Sequence, residues 1–272
     1  NNPAYPYGNN HGYGMRTEIG MATFPNFESV KQFIPANQWW PLPSDEALKN
    51  ADSTVWNRHF FGKEASNANP VKYKASVDTQ FGVSQSLEAY CEKAQYLNIE
   101  VMKGMYEAWN DKMWNDAAGL IIWMSQSAYP SFVWQTYDYY YDATGAYWGA
   151  KKACEPVHIQ WNAANNAVKV INSTLSEIKD LTATATIYNI HGKALPGYAS
   201  VANVNIAAGN IKEAFTLNLD NARIGSNSLD RLSPLHFIKL ELKDRKGNVL
   251  ADNFYWRNGL KELDYTALND LP

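Results

Sequence analysis

At Pro156 the hydrophobic pattern changes period, so the two halves of this chain have to build different kinds of core. Upstream, residues 84 to about 113 place Leu87, Cys91, Ala94, Leu97, Val101, Met105 and Trp109 three or four positions apart. That spacing is the apolar stripe of one helix, with charged residues on the opposite face. The run at 119–124 (GLIIWM) is continuously apolar, the pattern of a strand buried on both faces of a parallel sheet. Downstream, short alternating segments take over. Residues 158–161 and 167–171 flank a turn at 163–166, and 183–190 alternates. Residues 238–243 and 249–256 flank Asp244-Arg-Lys-Gly-Asn248, where Gly247 supplies a left-handed residue. Strands at this spacing over about 110 residues predict an antiparallel β-sandwich of immunoglobulin type.

The first half holds a second strand-like run at 13–19 (YGMRTEI), then a short helix at 26–34 between Pro25 and Pro35. Residues 36–81 show no sustained period and read as a long loop; a closing helix is expected at 149–154. A buried parallel strand needs neighbours on both sides, and only two such strands are found. The expected fold is therefore α/β plus all-β. Residues 1–154 form the C-terminal part of a (β/α)8 TIM barrel, strands seven and eight with their helices, and the earlier strands lie outside these residues. Residues 155–272 form an immunoglobulin-like β-sandwich.

A formal net charge of -3 gives no support for tracking nucleic-acid phosphates. The longest apolar run is far short of the roughly 20 residues needed to span a bilayer, so no membrane partner is expected. Cys91 and Cys154 sit in no CxxC or Cys/His cluster, and neither a metal nor another cofactor is expected. The chain opens at Asn1 with no apolar leader, which leaves a removed or upstream signal peptide equally open. Most of the 10 Trp, 17 Tyr and 10 Phe crowd into the first 161 positions. Such rings stack on sugar C–H faces, but they also fill cores, and core filling is the ordinary explanation.

Glu18 ends the strand-like run in Gly14-Met-Arg-Thr-Glu-Ile-Gly20. At the C-terminal end of a barrel strand a carboxylate faces the active-site mouth; the alternative is a surface carboxylate paired with Arg16 or a lysine. Thr17-Glu18 is followed by Phe24-Pro-Asn-Phe-Glu-Ser-Val30, by Trp56-Asn-Arg-His-Phe-Phe-Gly62, by 93–100 (KAQYLNIE) and by 105–109 (MYEAW). Then come 119–124, Ala128-Tyr-Pro-Ser131, Tyr137-Asp-Tyr-Tyr-Tyr141, 149–160 (GAKKACEPVHIQ) and Val170-Ile-Asn-Ser-Thr174. In this order they resemble glycoside hydrolase family 2, its exo-β-D-glucosaminidase branch first and the β-mannosidases next.

The resemblance implies hydrolysis by double displacement. One carboxylate attacks the anomeric carbon, and a second about 5–5.5 Å away serves as acid and then base. It implies Glu18 as nucleophile and places the acid/base on an earlier strand outside these residues, so that this chain by itself has no turnover. Trp123 matches an aromatic that floors the sugar subsite, with a core Trp as the alternative. Tyr13, Tyr129, Trp134 and Tyr137 are candidates for the mouth, with packing as the alternative. Ser125-Gln-Ser127 stand where relatives tend to carry Asn, and Tyr129 where they tend to carry Trp, which leaves the sugar open. Glu28 and Glu100 fall on helices and read as structural, as does His59. The implied partners are a β-linked oligosaccharide and the missing N-terminal part of the same enzyme. Relatives of this kind are often secreted or periplasmic. The competing readings are β-mannosidase or β-galactosidase activity, or a non-catalytic carbohydrate-binding protein in which Glu18 is incidental.

Overall fold

The computed structural model describes residues 14–49, 54–61, 69–219, 232–259 and 263–271. The chain divides into two compact units. One comprises Asn1–Gly14, Met105–Ala118 and Lys152–Pro272, the other Met15–Gly104 and Gly119–Lys151. Along the chain run β1 (Gly14–Ile19), α1 (Phe27–Val30), α2 (Asp45–Lys49), α3 (Val55–Arg58), α4 (Pro70–Phe81), α5 (Leu87–Lys112), β2 (Ala117–Ile122) and α6 (Gly145–Ala153). Then follow β3 (Val157–Trp161), β4 (Ala167–Asn172), β5 (Ile178–Asn189), β6 (Ser200–Ile206), β7 (Asn210–Thr216), β8 (Leu235–Lys243) and β9 (Val249–Asn258).

The segment expected to be loop contains three helices. The Asn69 side chain accepts the Lys72 N–H and Pro70 occupies the first turn of α4, a start signal hidden inside what reads as an Asn-Pro turn. The apolar face of α4 is Pro70, Tyr73, Val77 and Phe81, too sparse among polar neighbours to register as a period. Thr54 caps α3 through the Asn57 N–H.

Aromatic crowding in the unit of Met15–Gly104 and Gly119–Lys151 is core packing. Phe24, fully buried, lies within 4.9–6.4 Å, ring centre to ring centre, of Trp56, Phe61, Tyr73, Tyr90 and Phe132. A small polar clamp fixes this segment to α5. Asn98 Nδ2 and Gln95 Nε2 both donate to the Phe24 carbonyl, at 2.9 and 3.0 Å, while the Tyr73 hydroxyl donates to Asn98 Oδ1 at 2.7 Å. Each buried polar group in the clamp thus offsets the desolvation of another.

β1 and β2 form a two-stranded sheet. The Gly14 N–H donates to the Asp116 carbonyl at 2.7 Å and the Trp123 N–H to the Ile19 carbonyl at 2.7 Å. Both bonds ascend the strands in the same sense, so the pair is parallel, with Ile19 beside Ile122 and Glu18 beside Ile121. Among the described residues β2 leaves Ile121 54 % exposed, and Trp123 just beyond it 48 % exposed. The reason is topological, because among the described residues β2 has β1 alone as a neighbour and no second layer on the Ile121 face.

Seven antiparallel strands make the expected sandwich, in sheets of order β3-β4-β7 and β6-β5-β8-β9. Inward residues of both sheets share one core. Ile159, Trp161, Val168 and Val170 come from one sheet, and Leu181, Ala183, Ile187, Ile238, Leu240 and Leu242 from the other. The β8–β9 hairpin closes at Gly247, φ 86°, where the Asp244 carboxylate accepts the Lys246 and Asn248 N–H groups.

Candidate active site

Glu18 is the last exposed residue of β1, one position before the buried Ile19. Side chains alternate along a strand, so the register puts Glu18, Ile121 and Trp123 on one face, at the C-terminal ends of two parallel strands. The Trp123 indole is about half exposed among these residues. Trp123 joins Met124 through a cis peptide bond.

Gly20 is what lets the two strand ends close up. A Cβ at this position would collide with the Trp123 carbonyl oxygen and would stand 3.5 Å from the Trp134 ring. Trp134 is half-buried against Phe60, ring centres 5.7 Å apart, and its carbonyl accepts the Met124 N–H at 3.1 Å. Trp134 thus backs the site, holding the chain where it leaves β2. From there a ladder continues: Thr136 N–H to the Met124 carbonyl at 3.2 Å, and Tyr137 N–H to the Ser125 carbonyl at 2.8 Å.

The other candidates separate. Tyr129 is exposed on the loop after Trp123, its carbonyl held by the Ser127 hydroxyl at 2.7 Å, and partial burial raises its phenol pKa. Tyr137 packs on Tyr147, ring centres 4.9 Å apart. Tyr13 lies outside the described residues. His59 is structural as expected, with Nδ1 2.8 Å from the Pro130 carbonyl and its ring 4.7 Å from Phe33. Glu28 pairs with Lys31 at 2.7 Å and Glu100 with Lys103 at 3.7 Å.

Two buried carboxylates carry more structure than their sequence context signals. Asp138 organises the loop after Tyr137, accepting the Tyr140 and Asp142 N–H groups at 2.9 and 3.1 Å. Glu107, fully buried in the last turns of α5, accepts from Asn253 Nδ2 at 2.7 Å and from the Tyr255 hydroxyl at 2.8 Å, with His158 Nε2 at 3.3 Å. Burial works against a charged His158, but its bonds to Glu107 and Glu155 outweigh that and raise its pKa.

Residues 165–262 match the Mannosidase Ig/CBM-like domain family. Over 99 % of this chain and 33 % of the other, the structure superposes on the exo-chitosanase CsxA of Amycolatopsis orientalis with a TM-score of 0.77 at 26 % identity. The chain resembles the exo-β-D-glucosaminidases of glycoside hydrolase family 2. The exo-β-D-glucosaminidases of Amycolatopsis orientalis and Hypocrea virens are 29 % and 28 % identical to it, over 90 % and 94 % of this chain. The mannosylglycoprotein endo-β-mannosidase of Lilium longiflorum is 26 % identical over 90 % of this chain. The chain spans about a quarter of the length of these relatives: 22 % and 27 % of the two exo-β-D-glucosaminidases, and 25 % of the endo-β-mannosidase.

Proposed function

We propose that this chain is part of a retaining exo-acting β-glycosidase of the exo-β-D-glucosaminidase type, with Glu18 as its nucleophile. In this reading residues 1–154 are the C-terminal portion of a TIM-barrel catalytic domain and 155–272 the following sandwich. The observation that carries it is the placing of Glu18 and an exposed Trp123 on one face, at the adjoining C-terminal ends of two parallel strands. Both glucosaminidase relatives and the superposed exo-chitosanase point to the same chemistry, and variants of that exo-chitosanase have been solved in complex with PNP-β-D-glucosamine.

The Glu18 carboxylate attacks the anomeric carbon of the terminal sugar, and the bond to the leaving oxygen breaks as a second carboxylic acid gives that oxygen its proton. The same carboxylate, now ionised, takes a proton from water, which displaces Glu18 and frees the sugar with its original anomeric configuration. Trp123 offers an aromatic floor to the sugar's C–H face. The acid/base carboxylate comes from polypeptide beyond these 272 residues, in keeping with the quarter of each relative that the chain spans. On this account the 272 residues alone turn nothing over.

A second reading, a β-mannosidase, draws on the lily relative. Treating the longer enzyme with 2-deoxy-2-fluoro glycosides and mapping the adduct by peptide mass spectrometry tests the first. Label on Glu18 is the expected result, and an active enzyme labelled elsewhere, or a fully active Glu18→Gln variant, overturns the assignment. A panel of aryl β-glycosides names the sugar, glucosaminide against mannoside.

A further inference from the structure

β1 ends at Ile19 and β2 at Ile122, and past the Trp123–Ile19 bond the two strand exits run on to Thr23 and to Met124 and Ser125. The short strap Trp134-Gln135-Thr136 is bonded to both exits. We propose that Thr23 is a positioning residue for the reaction at Glu18: through Gln135 it holds the exit that carries Trp123 in place beside the exit that carries Glu18. This inference rests on the reading of Glu18 and Trp123 given above.

The connection is direct on each side. From the β1 exit the Thr23 hydroxyl donates to the Gln135 carbonyl at 3.0 Å. Towards the β2 exit, the Trp134 carbonyl accepts the Met124 N–H at 3.1 Å, and the Thr136 N–H donates to the Met124 and Ser125 carbonyls at 3.2 and 3.1 Å. The Thr136 hydroxyl adds a bond to the Ser125 carbonyl at 3.0 Å. One peptide group of the strap therefore stands between Thr23 and the residues that follow Trp123.

The Thr23 bond is also hard to replace. Thr23, Gln135 and Thr136 are all buried, so a lost donor is not made good by bulk water. The Thr144 hydroxyl reaches the Gln135 carbonyl too, but at 3.4 Å, and its single proton lies closer to the Thr136 carbonyl, at 3.0 Å. Thr23 is thus the better-placed hydroxyl donor to the Gln135 carbonyl.

The strap itself is held under constraint. Trp134 has φ 61°, a left-handed conformation that a ring-bearing residue rarely adopts and that its surroundings have to maintain. Its ring is wedged between Phe60 and the backbone at Gly20, and the next side chain is anchored by Gln135 Nε2 donating to the Ser131 hydroxyl at 2.7 Å and carbonyl at 3.2 Å. Freed from Thr23, a strap of this kind can relax, and a shift of about 1 Å near reacting groups costs up to about a hundredfold in rate.

The test uses the longer enzyme with Thr23→Val, which keeps the shape and removes the hydroxyl, and with Thr23→Ser, which keeps the hydroxyl. Competent sites are counted by stoichiometric labelling with the 2-deoxy-2-fluoro glycoside, and hydrolysis of p-nitrophenyl β-D-glucosaminide is expressed per labelled site beside the melting temperature. Thr23→Val is expected to lower kcat per site about tenfold with KM within about twofold, because Thr23 touches no sugar, and Thr23→Ser to stay within about threefold of wild type. A purely structural role would lower the melting temperature and the number of sites but leave kcat per site unchanged, and that result overturns the proposal. So does a Thr23→Ser enzyme as slow per site as Thr23→Val. If Thr23→Val yields no labelled enzyme, Thr23→Cys, a weaker donor of similar size, takes its place with the same outcomes. The peptide that bears the label decides the nucleophile, whereas the rate per site decides Thr23.

Discussion

His236 is buried between carbonyls that fix its tautomer. Nδ1 lies 3.1 and 3.2 Å from the Ser233 and Pro234 carbonyls and so carries the proton, while Nε2 is buried without a hydrogen-bond partner. Burial, with Arg257 adding to it, pushes its pKa from 6.5 down to about 4. A folded-state value below the unfolded one means that the unfolded chain binds more protons in that window. Stability is therefore full above pH 6.5 and is lost as pH falls towards 4, by about 3 kcal/mol in all. Urea unfolding of this chain at pH 7 and pH 4.5 checks this, and His236→Gln is expected to flatten the difference. Single residues differ in how far sequence exposes them. Glu18 and Trp123 stand out because each sits in a stretch whose resemblance implies a role, and those roles are proposals. Asp138 does not, since nothing among the neighbouring tyrosines tells a loop-organising carboxylate from a solvated one. Glu107 hides likewise inside a helical stripe.

At the scale of elements, α5 is readable because its stripe recurs over 26 residues, and β8–β9 because the turn residues demand a hairpin. α4 is not, since the four residues it buries are mixed with polar and exposed apolar positions that blur the rhythm, and tertiary contacts such as Tyr73 on Phe24 decide it. What sequence periodicity misses altogether is the polar join within one unit, where the last turns of α5 meet β3 and β9. There Glu107 is the shared acceptor of Asn253 and Tyr255, and its backbone carbonyl takes Gln160 Nε2 at 2.9 Å. Removing the carboxylate strands these donors and His158 in a dry interior. Glu107→Ala is expected to cost about 3–5 kcal/mol, and Glu107→Gln, which keeps one acceptor oxygen, less than half of that. Denaturant midpoints of the two variants give the comparison, and equal losses would mean that volume rather than hydrogen bonding sets the cost.

For the molecule as a whole, the change of hydrophobic period at Pro156 announces a sandwich because alternation reports directly on two inward faces, and seven strands with one shared core follow. The parallel pair upstream is legible as strands but not in its surroundings, since an apolar run states what a strand needs against it, not what it has. Among the described residues Ile121 and Trp123 are about half exposed. Apolar strands left open in this way recruit further strands. Sedimentation of this chain by itself is expected to show self-association growing with concentration, and Ile121→Lys is expected to reduce it. For anyone producing this stretch alone, shelf life is then governed by the stickiness of one short ladder. A preparation whose sandwich is still perfectly folded would nevertheless cloud on the bench.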